Sequence, residues 1–296
     1  MRFGVAIPQA FGFAAPEAQQ LLATRIEELG FDSLWISDHI LVPEGHDYIP
    51  ETMLEPLALL SWLAARTGPG LTLGTSVLVL PYRDPVFLAK HLATVDVLSG
   101  GRLVVGVGVG WLEEEFEALG APFAERGAMT DEYLRVLRDL WSTETSSFDG
   151  RWKRYERMRL FPKAAPERIG SIPLVVGGNS PVAIRRAAEL GDGWHPINLS
   201  PGQLADGVAH YHAACDAAGR LRGSVVLRNM PGGRTPPEGD RWPLSGTPEE
   251  AAADLAAYAE AGCDELMLSA AGRSVESVVE RLAAFRSGPV VLAGMG

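Results

Sequence analysis

The sequence has little cysteine and little lysine, and each shortage argues against a class of site. Cys215 and Cys263 are the two cysteines among 296 residues, and they lie far apart in the chain. Cys263 precedes an apolar segment, so we expect a buried thiol rather than a disulfide or a nucleophile. Lys90, Lys153 and Lys163 are the three lysines. They fall in a predicted helix or a predicted insertion, which disfavours a Schiff-base mechanism because that mechanism needs a desolvated lysine.

Long apolar runs and excess positive charge are also missing. No apolar segment reaches the roughly 18 residues that a membrane span needs, and the first residues lack the long apolar region of a signal peptide. The net charge is −11 at pH 7, which would repel the phosphates of nucleic acids and of anionic membranes. We therefore expect a cytoplasmic protein that binds a small molecule, with neither nucleic acid nor membrane as a partner.

Several catalytic signatures do not occur. The first predicted strand is not followed by the glycine-rich fingerprint of a dinucleotide-binding fold. The run from Gly106 to Gly110 differs from that fingerprint because Trp111 occupies its last position. There is no serine nucleophile elbow and no phosphate-binding Walker loop. His210 and His212 lie two residues apart on a predicted helix, where their rings diverge, so we expect no metal site.

Apolar segments with strand character alternate with amphipathic segments throughout the chain, as in a (β/α)8 TIM barrel of the α/β class. We predict one domain over residues 1–296, with insertions after strands two, four and seven. We also predict an insertion at about residues 143–170 with a hairpin around Asp149-Gly150, and an irregular acidic segment at 111–125. A doubly wound open sheet is the competing architecture. The predicted strands are 2–7, 33–37, 71–80, 103–109, 172–176, 193–197, 224–229 and 265–269.

Active sites of such barrels lie on the loops that follow the strands. Asp38 and His39 end the second strand, and Asp38 could orient an imidazole that acts as acid or base; the alternative is a capping aspartate beside a surface histidine. The segment from Gly177 to Pro181 leads from a strand into a helix and could hold a phosphate, or be a simple capped turn. The alternating glycines 106, 108 and 110 could clear a strand face for a flat ligand. Trp111 could stack there or lie in the core.

Short motifs are spread over nearly the whole chain. They are Ser37-Asp38-His39, Leu73-Gly74-Thr75-Ser76-Val77-Leu78, Arg83-x-Pro85, Ser99-Gly100-Gly101-Arg102, Gly106-x-Gly108-x-Gly110-Trp111, Val176-Gly177-Gly178-Asn179-Ser180, Gly191-Asp192-Gly193-Trp194, Gly246-Thr247-Pro248-Glu249 and Ala261-Gly262-Cys263-Asp264. In the order and spacing of these motifs the chain resembles the luciferase-like flavin monooxygenase superfamily, and more closely its coenzyme F420-dependent oxidoreductase branch.

This resemblance implies a deazaflavin or flavin that lies across the carboxyl ends of the strands. It implies a non-proline cis peptide in the third strand, and the matching bond is Ser76-Val77. His39 and Asp38 would be the catalytic residues, with His39 passing a proton while a hydride moves to or from C5 of the ring. The implied cofactor-binding residues are Thr75, Ser76, Val77, Gly108, Gly110, Trp111, Val176, Gly177, Gly178, Asn179, Ser180 and Arg273, the last for the anionic tail.

Two positions depart from the sugar dehydrogenases of this branch. Those enzymes carry a glutamate acid where this chain has Trp111, and Glu114 or Glu115 would have to replace it. They also carry a lysine for the cofactor's phosphate after strand six, where this chain has Asn198 and Ser200. These departures argue against a sugar-phosphate substrate.

The function that the resemblance implies is hydride transfer between F420 and a small organic substrate held under loops 40–54, 111–125 and 230–246. One alternative is an FMN-dependent monooxygenase that uses O2 and receives reduced flavin from a partner reductase. Another is a flavin-binding barrel without catalysis. Relatives are commonly dimers, so we expect a homodimer.

Overall fold

The chain folds into a closed barrel of parallel strands surrounded by helices, as the alternating sequence pattern predicts. The computed structural model describes residues 1–46, 49–166, 171–230, 241–270 and 272–288. The barrel strands are β1 (Arg2–Ala6), β2 (Ser33–Ile36), β3 (Thr72–Val79), β4 (Leu103–Gly108), β7 (Leu174–Gly177), β8 (Gly193–His195), β9 (Ser224–Asn229) and β10 (Glu265–Ser269), and a separate hairpin contains β5 (Ser146–Asp149) and β6 (Arg154–Met158). Around the barrel the order is β1-β10-β9-β8-β7-β4-β3-β2, which confirms the barrel and rules out the open sheet.

Helices alternate with the barrel strands as the sequence pattern predicts. They are α1 (Pro16–Glu28), α2 (Pro56–Ala64), α3 (Pro85–Leu98), α4 (Glu113–Ala118), α5 (Arg126–Ser142), α6 (Pro181–Leu190), α7 (Pro201–Ala217), α8 (Pro248–Glu260) and α9 (Val275–Ser287). Of these, α4 is an additional helix that we did not expect. Asp84 caps α3 by accepting hydrogen bonds from two backbone N–H groups, and Thr247 forms a capping box with Glu250 on α8. None of the described helices combines the length and the apolar character that a membrane span requires.

The segment at 111–125 is more ordered than the sequence suggests. We expected it to be irregular, but it contains helix α4 and a short 3-10 turn, Phe123–Glu125. The first turn of α4 carries three glutamates, whose negative charge is favourable near the positive end of a helix dipole. Phe116 anchors the helix because its side chain is fully buried. The predicted hairpin around Asp149-Gly150 is confirmed as the antiparallel pair β5 and β6.

Inside the barrel a tryptophan occupies space that glycines leave free. The Trp35 indole lies against Gly74, where an added Cβ would come within 2.3 Å of the ring. A Cβ on Gly106 would lie 2.0 Å from the Thr75 carbonyl oxygen. Strands β3 and β4 can therefore lie this close together only because position 106 has no side chain. The inner cluster consists of Ala6, Trp35, Val175, Val226 and Met267.

A buried histidine forms the next layer towards the end of the barrel where the strands finish. The His195 ring stacks on Trp35 with the ring centroids 5.6 Å apart. Its Nδ1 donates to the Val226 carbonyl, and its Nε2 accepts from the Ser76 hydroxyl at 2.8 Å. Burial lowers the pKa of His195 to about 4, against the smaller opposing effect of the Val226 carbonyl, and the nearby Arg228 charge lowers it as well. The ring is therefore neutral at pH 7.

The close contact at Gly106 predicts a local loss of stability in the variant Gly106→Ala. The Thr75 carbonyl is backbone and cannot turn aside, so we expect the free energy of unfolding to fall by about 1–3 kcal/mol. Urea denaturation of the protein without cofactor measures this change. Gly70→Ala is the matched control because its Cβ would meet nothing within 4 Å. Equal stability of the two variants would contradict the prediction.

The low pKa of His195 predicts that the protein loses stability as the pH falls below 6.5. Between pH 6.5 and about 4 the unfolded chain binds a proton at His195 that the folded chain does not bind. The free energy of unfolding should therefore fall by about 1.4 kcal/mol for each pH unit below 6.5. In His195→Gln the decrease from pH 6.5 to 5 should be smaller by about 2 kcal/mol. His210→Gln, an exposed site on α7, should keep the wild-type slope; a wild-type slope in His195→Gln would refute this prediction.

Candidate active site

The carboxyl ends of β2, β3 and β4 bring most of the predicted catalytic and cofactor-binding residues to one end of the barrel. Asp38 and His39 follow β2, and β2 pairs with β3. The peptide bond between Ser76 and Val77 in β3 is cis, as the resemblance implies. At this point the pairing of β3 with β4 shifts its register, between Thr75 and Leu78.

The Val77 side chain fills the space above two glycines of neighbouring strands. A Cβ on Gly108 would lie 2.5 Å from Val77 Cγ2, and a Cβ on Gly177 would lie 2.8 Å from Val77 Cγ1. Val77 keeps part of its surface accessible. It therefore gives this end of the barrel a small apolar surface supported by β4 and β7.

The role we expected for the alternating glycines is corrected by these contacts. We predicted that they clear a strand face for a flat ligand, but the chain's own groups lie against them: the Thr75 carbonyl at Gly106, and Val77 at Gly108. Gly110 has a φ of +78°, and its vacant Cβ position faces Phe116 rather than the barrel interior. Cofactor contacts of Gly108 and Gly110 stay a prediction.

His39 is held by a glutamate that the sequence marked only as one of two candidates. Its Nδ1 lies 2.9 Å from Glu115 Oε2, which also accepts from the Tyr82 hydroxyl at 2.8 Å. The other oxygen, Oε1, accepts from the backbone N–H groups of Ile40 and Leu41. The Glu115 carboxylate therefore connects α4 with the loop after β2 and with the segment after β3.

Glu115 is buried but charged. Its side chain is fully excluded from solvent, whereas the His39 ring keeps 15% exposure. Burial acts to raise the pKa of Glu115, but hydrogen bonds from His39, Ile40 and Tyr82 outweigh it and hold the pKa below its usual range. Among the described residues, none hydrogen-bonds to the second ring nitrogen of His39, Nε2.

Asp38 does not orient His39, so that expectation is wrong. Its Oδ2 accepts from the Val79 backbone N–H at 2.9 Å, and both carboxylate oxygens accept from the Arg83 guanidinium. Arg83 also donates to Glu55 at 2.8 Å. Burial raises the pKa of Asp38, and the Arg83 hydrogen bond opposes this shift. Asp38 joins the loop after β2 to the end of β3, and a catalytic role for it stays a prediction.

Arg228 is a polar residue of the site that sequence reasoning missed. It lies on β9, where its Nη1 donates to the Ser76 carbonyl, to the Ser76 hydroxyl at 3.2 Å and to the Ser37 hydroxyl at 3.1 Å. An arginine within the apolar run of β9 was the available signal, because a charged side chain in a buried strand needs polar partners. Arg228 brings positive charge next to the cis peptide.

The loop after β7 forms a capped turn at the start of α6. Ser180 caps α6 by accepting from the Ala183 N–H, and Asn179 exchanges two hydrogen bonds with the backbone of Ile197. Val176 is buried, and Gly178 has a φ of +120°. The side chains of Asn179 and Ser180 are thus engaged within the protein, and cofactor binding by this loop stays a prediction.

The remaining predicted residues differ in where they lie. Trp111 is 54% exposed beside the His39 ring, with the centroids 6.0 Å apart, so it is not a core tryptophan. The Thr75 hydroxyl is buried and donates to the Gly106 carbonyl at 2.7 Å. Arg273 is exposed before α9, and no described contact joins its side chain to the other site residues. No cluster among the described residues could hold a metal ion.

The sequence matches a known protein family over most of its length. Residues 1–228 match the family model described as luciferase-like monooxygenase. An uncharacterised protein of Mycobacterium tuberculosis is 30% identical over 285 residues, covering 88% of this chain and 96% of the relative. An F420-dependent glucose-6-phosphate dehydrogenase of Amycolatopsis mediterranei is 33% identical over 178 residues, covering 58% of this chain and 50% of that enzyme.

Solved structures share the same barrel. A monooxygenase from Streptomyces bottropensis superposes with a TM-score of 0.81 at 22% identity, covering 97% of this chain and 98% of that one. An F420-dependent secondary alcohol dehydrogenase with an F420-acetone adduct gives 0.78 at 18%, covering 96% and 97%. The oxygenating constituent of a diketocamphane monooxygenase of Pseudomonas putida with FMN gives 0.78 at 17%, covering 99% of each chain. These likenesses show the fold, and the family match shows that the chain belongs to the luciferase-like monooxygenase family.

Proposed function

We propose that this protein is an F420-dependent oxidoreductase that transfers a hydride between the deazaflavin and a small organic substrate. The observation that carries the proposal is the His39 imidazole, which lies at the carboxyl end of the barrel with one nitrogen on a buried carboxylate. A side chain that can accept or donate a proton is what a hydride transfer to or from a carbonyl carbon needs beside it. The F420-dependent relative at 33% identity supports this choice of cofactor.

The residues at this end of the barrel suit a flat, polar-edged ring. Val77 offers an apolar surface supported by Gly108 and Gly177. Arg228 provides positive charge on the neighbouring side, next to Ser76. A deazaflavin combines a flat apolar ring system with carbonyl oxygens at one end, so it matches both features. We infer that Val77 supports the ring and that Arg228 favours its polar end.

When bound, F420 would supply a carbon that accepts or donates a hydride. The chain's own contribution is then the matching proton. If the substrate is an alcohol, Nε2 of His39 accepts the hydroxyl proton while the carbon loses its hydride. In the reverse direction His39 returns the proton to the carbonyl oxygen. Trp111, half exposed beside His39, would pack against the apolar part of the substrate.

A sugar phosphate does not suit the residues after β8. Asn198, at one of the two positions that replace the lysine of the sugar dehydrogenases, accepts from the Met230 backbone N–H through its side-chain oxygen. Ser200, at the other, caps α7 in a capping box. Both side chains serve the protein's own backbone. We therefore infer an uncharged substrate instead of a phosphate ester.

The choice of cofactor predicts a measurable preference. In absorbance or fluorescence titrations of the purified protein, F420 should bind at least about tenfold more tightly than FMN, a difference of about 1.4 kcal/mol. The family also contains monooxygenases, so FMN is the matched competitor. Tighter binding of FMN would overturn the proposal and support an oxygen-using enzyme supplied with reduced flavin.

The role of His39 predicts separate effects on turnover and binding. In His39→Ala, turnover of F420 with a panel of small alcohols and ketones should fall by about 10²–10⁴-fold, because proton transfer to a positioned side chain contributes about that much. The dissociation constant for F420 should change little. His212→Ala, on α7, is the control and should retain wild-type turnover. Unchanged turnover in His39→Ala would remove His39 from the reaction, and wild-type protein that binds F420 without any turnover would indicate a carrier.

A further inference from the structure

Glu115 is a buried carboxylate at this end of the barrel to which the proposed function has given no role. It is a fully buried carboxylate with four hydrogen-bond donors, and His39 is one of them. A glutamate with no exposed surface is poorly placed to exchange protons with a substrate itself. Its effect must therefore pass through the groups that it contacts.

The way in which the donors are divided between the two carboxylate oxygens determines which nitrogen of His39 carries a proton. Oε1 receives the backbone N–H groups of Ile40 and Leu41. Oε2 receives the Tyr82 hydroxyl and faces Nδ1 of His39. An ionised carboxylate only accepts hydrogen bonds, so Nδ1 must carry a proton. A neutral imidazole has one N–H, and its proton is then on Nδ1, which leaves a lone pair on Nε2.

We propose that Glu115 is a positioning residue that holds neutral His39 in the Nδ1–H tautomer, so that Nε2 is the proton acceptor at the carboxyl end of the barrel. Turnover through Nε2 rests on the proposed function, but the tautomer does not. A solvated imidazole favours the opposite tautomer, with the proton on Nε2. The carboxylate also stabilises the imidazolium that forms when Nε2 takes a proton, as a buried carboxylate does in hydrolase triads.

The other charged groups around His39 leave this assignment intact. The Asp38 carboxylate, next in sequence, is occupied by Arg83 and by the Val79 N–H. The His46 ring lies against Trp111, with ring centroids 5.9 Å apart, and Trp111 in turn lies against His39. Burial raises the pKa of Tyr82, and its bond to Glu115 raises it further, so the phenol stays a donor. Glu115 is thus the group that decides the His39 tautomer.

Glu115→Gln should invert the tautomer, because the backbone fixes which way the new amide faces. The two N–H groups at Oε1 require an oxygen there, so the amide NH2 takes the position of Oε2. That NH2 donates to Nδ1 of His39, and the ring proton moves to Nε2. The Tyr82 hydroxyl can rotate to accept the second amide hydrogen. The substitution changes no side-chain length, so the packing of α4 is preserved.

The experiment is a long-range ¹⁵N–¹H correlation on the cofactor-free protein with ¹⁵N-labelled histidine, recorded at a pH where His39 is neutral. The chain has 6 histidines, and His39→Gln identifies the signal. Wild type should show a protonated Nδ1 and an unprotonated Nε2, and Glu115→Gln should show the reverse. Tyr82→Phe removes a donor to Oε2 but keeps the carboxylate, so it should retain the wild-type pattern. Glu117→Gln, exposed on the same helix, is the matched control.

The outcomes separate this inference from the proposed function. A wild-type His39 with its proton on Nε2 overturns it without any variant, and so does a folded Glu115→Gln protein that keeps Nδ1–H. With F420, Glu115→Gln should bind the cofactor as wild type does and lose about 10²-fold or more in kcat for alcohol oxidation. If F420 does not bind but the tautomer inverts, the proposed function fails and the Glu115–His39 pair stands.

Discussion

The Glu115 carboxylate must be compensated for its burial, and this requirement organises the carboxyl end of the barrel. Removing an ion from water costs several kcal/mol unless other groups replace the lost hydration. Here the replacements come from two segments at once: His39, Ile40 and Leu41 after β2, and Tyr82 after β3. Because Glu115 itself lies on α4, the segments after β2, β3 and β4 are joined through the two oxygens of its carboxylate. A histidine on a mobile loop would lose its geometry, and these contacts fix the position of His39.

The barrel could be predicted from the sequence because its determinants are local and repeated. Each strand is an apolar run of a few residues, and helices such as α3 and α8 begin with a capping side chain followed by proline. Those signals act within a few residues of each other, so they survive without knowledge of the fold. The Asp38-His39 pair was equally visible because its position after β2 decides where it lies in a barrel.

The partner of His39 could not be found in the same way. Glu115 is the third of three successive glutamates, and such a run usually indicates a solvated surface. Its burial depends on helix α4, which we did not expect. Once that helix exists, Glu115 lies three residues after Leu112 and one before Phe116, both buried, so it shares their inward face. The apolar residues Leu112 and Phe116 therefore indicate the burial of Glu115, but only if the segment is known to be helical. Arg228 shows the same limit, since its partners Ser37 and Ser76 are distant in sequence.

The two neighbouring carboxylates of this site, Asp38 and Glu115, have different partners and therefore suit different roles. Asp38 is bound by Arg83, a cation that stays charged near pH 7, so this contact suits a structural link between β2 and β3. Glu115 pairs instead with His39, whose charge can change. While His39 is neutral, the dipoles of two backbone N–H groups and a phenol hold the Glu115 charge. If His39 gains a proton, it forms an ion pair with the Glu115 carboxylate without movement of the chain. An acid–base residue works best in such a preorganised setting, because no reorganisation accompanies the change of charge.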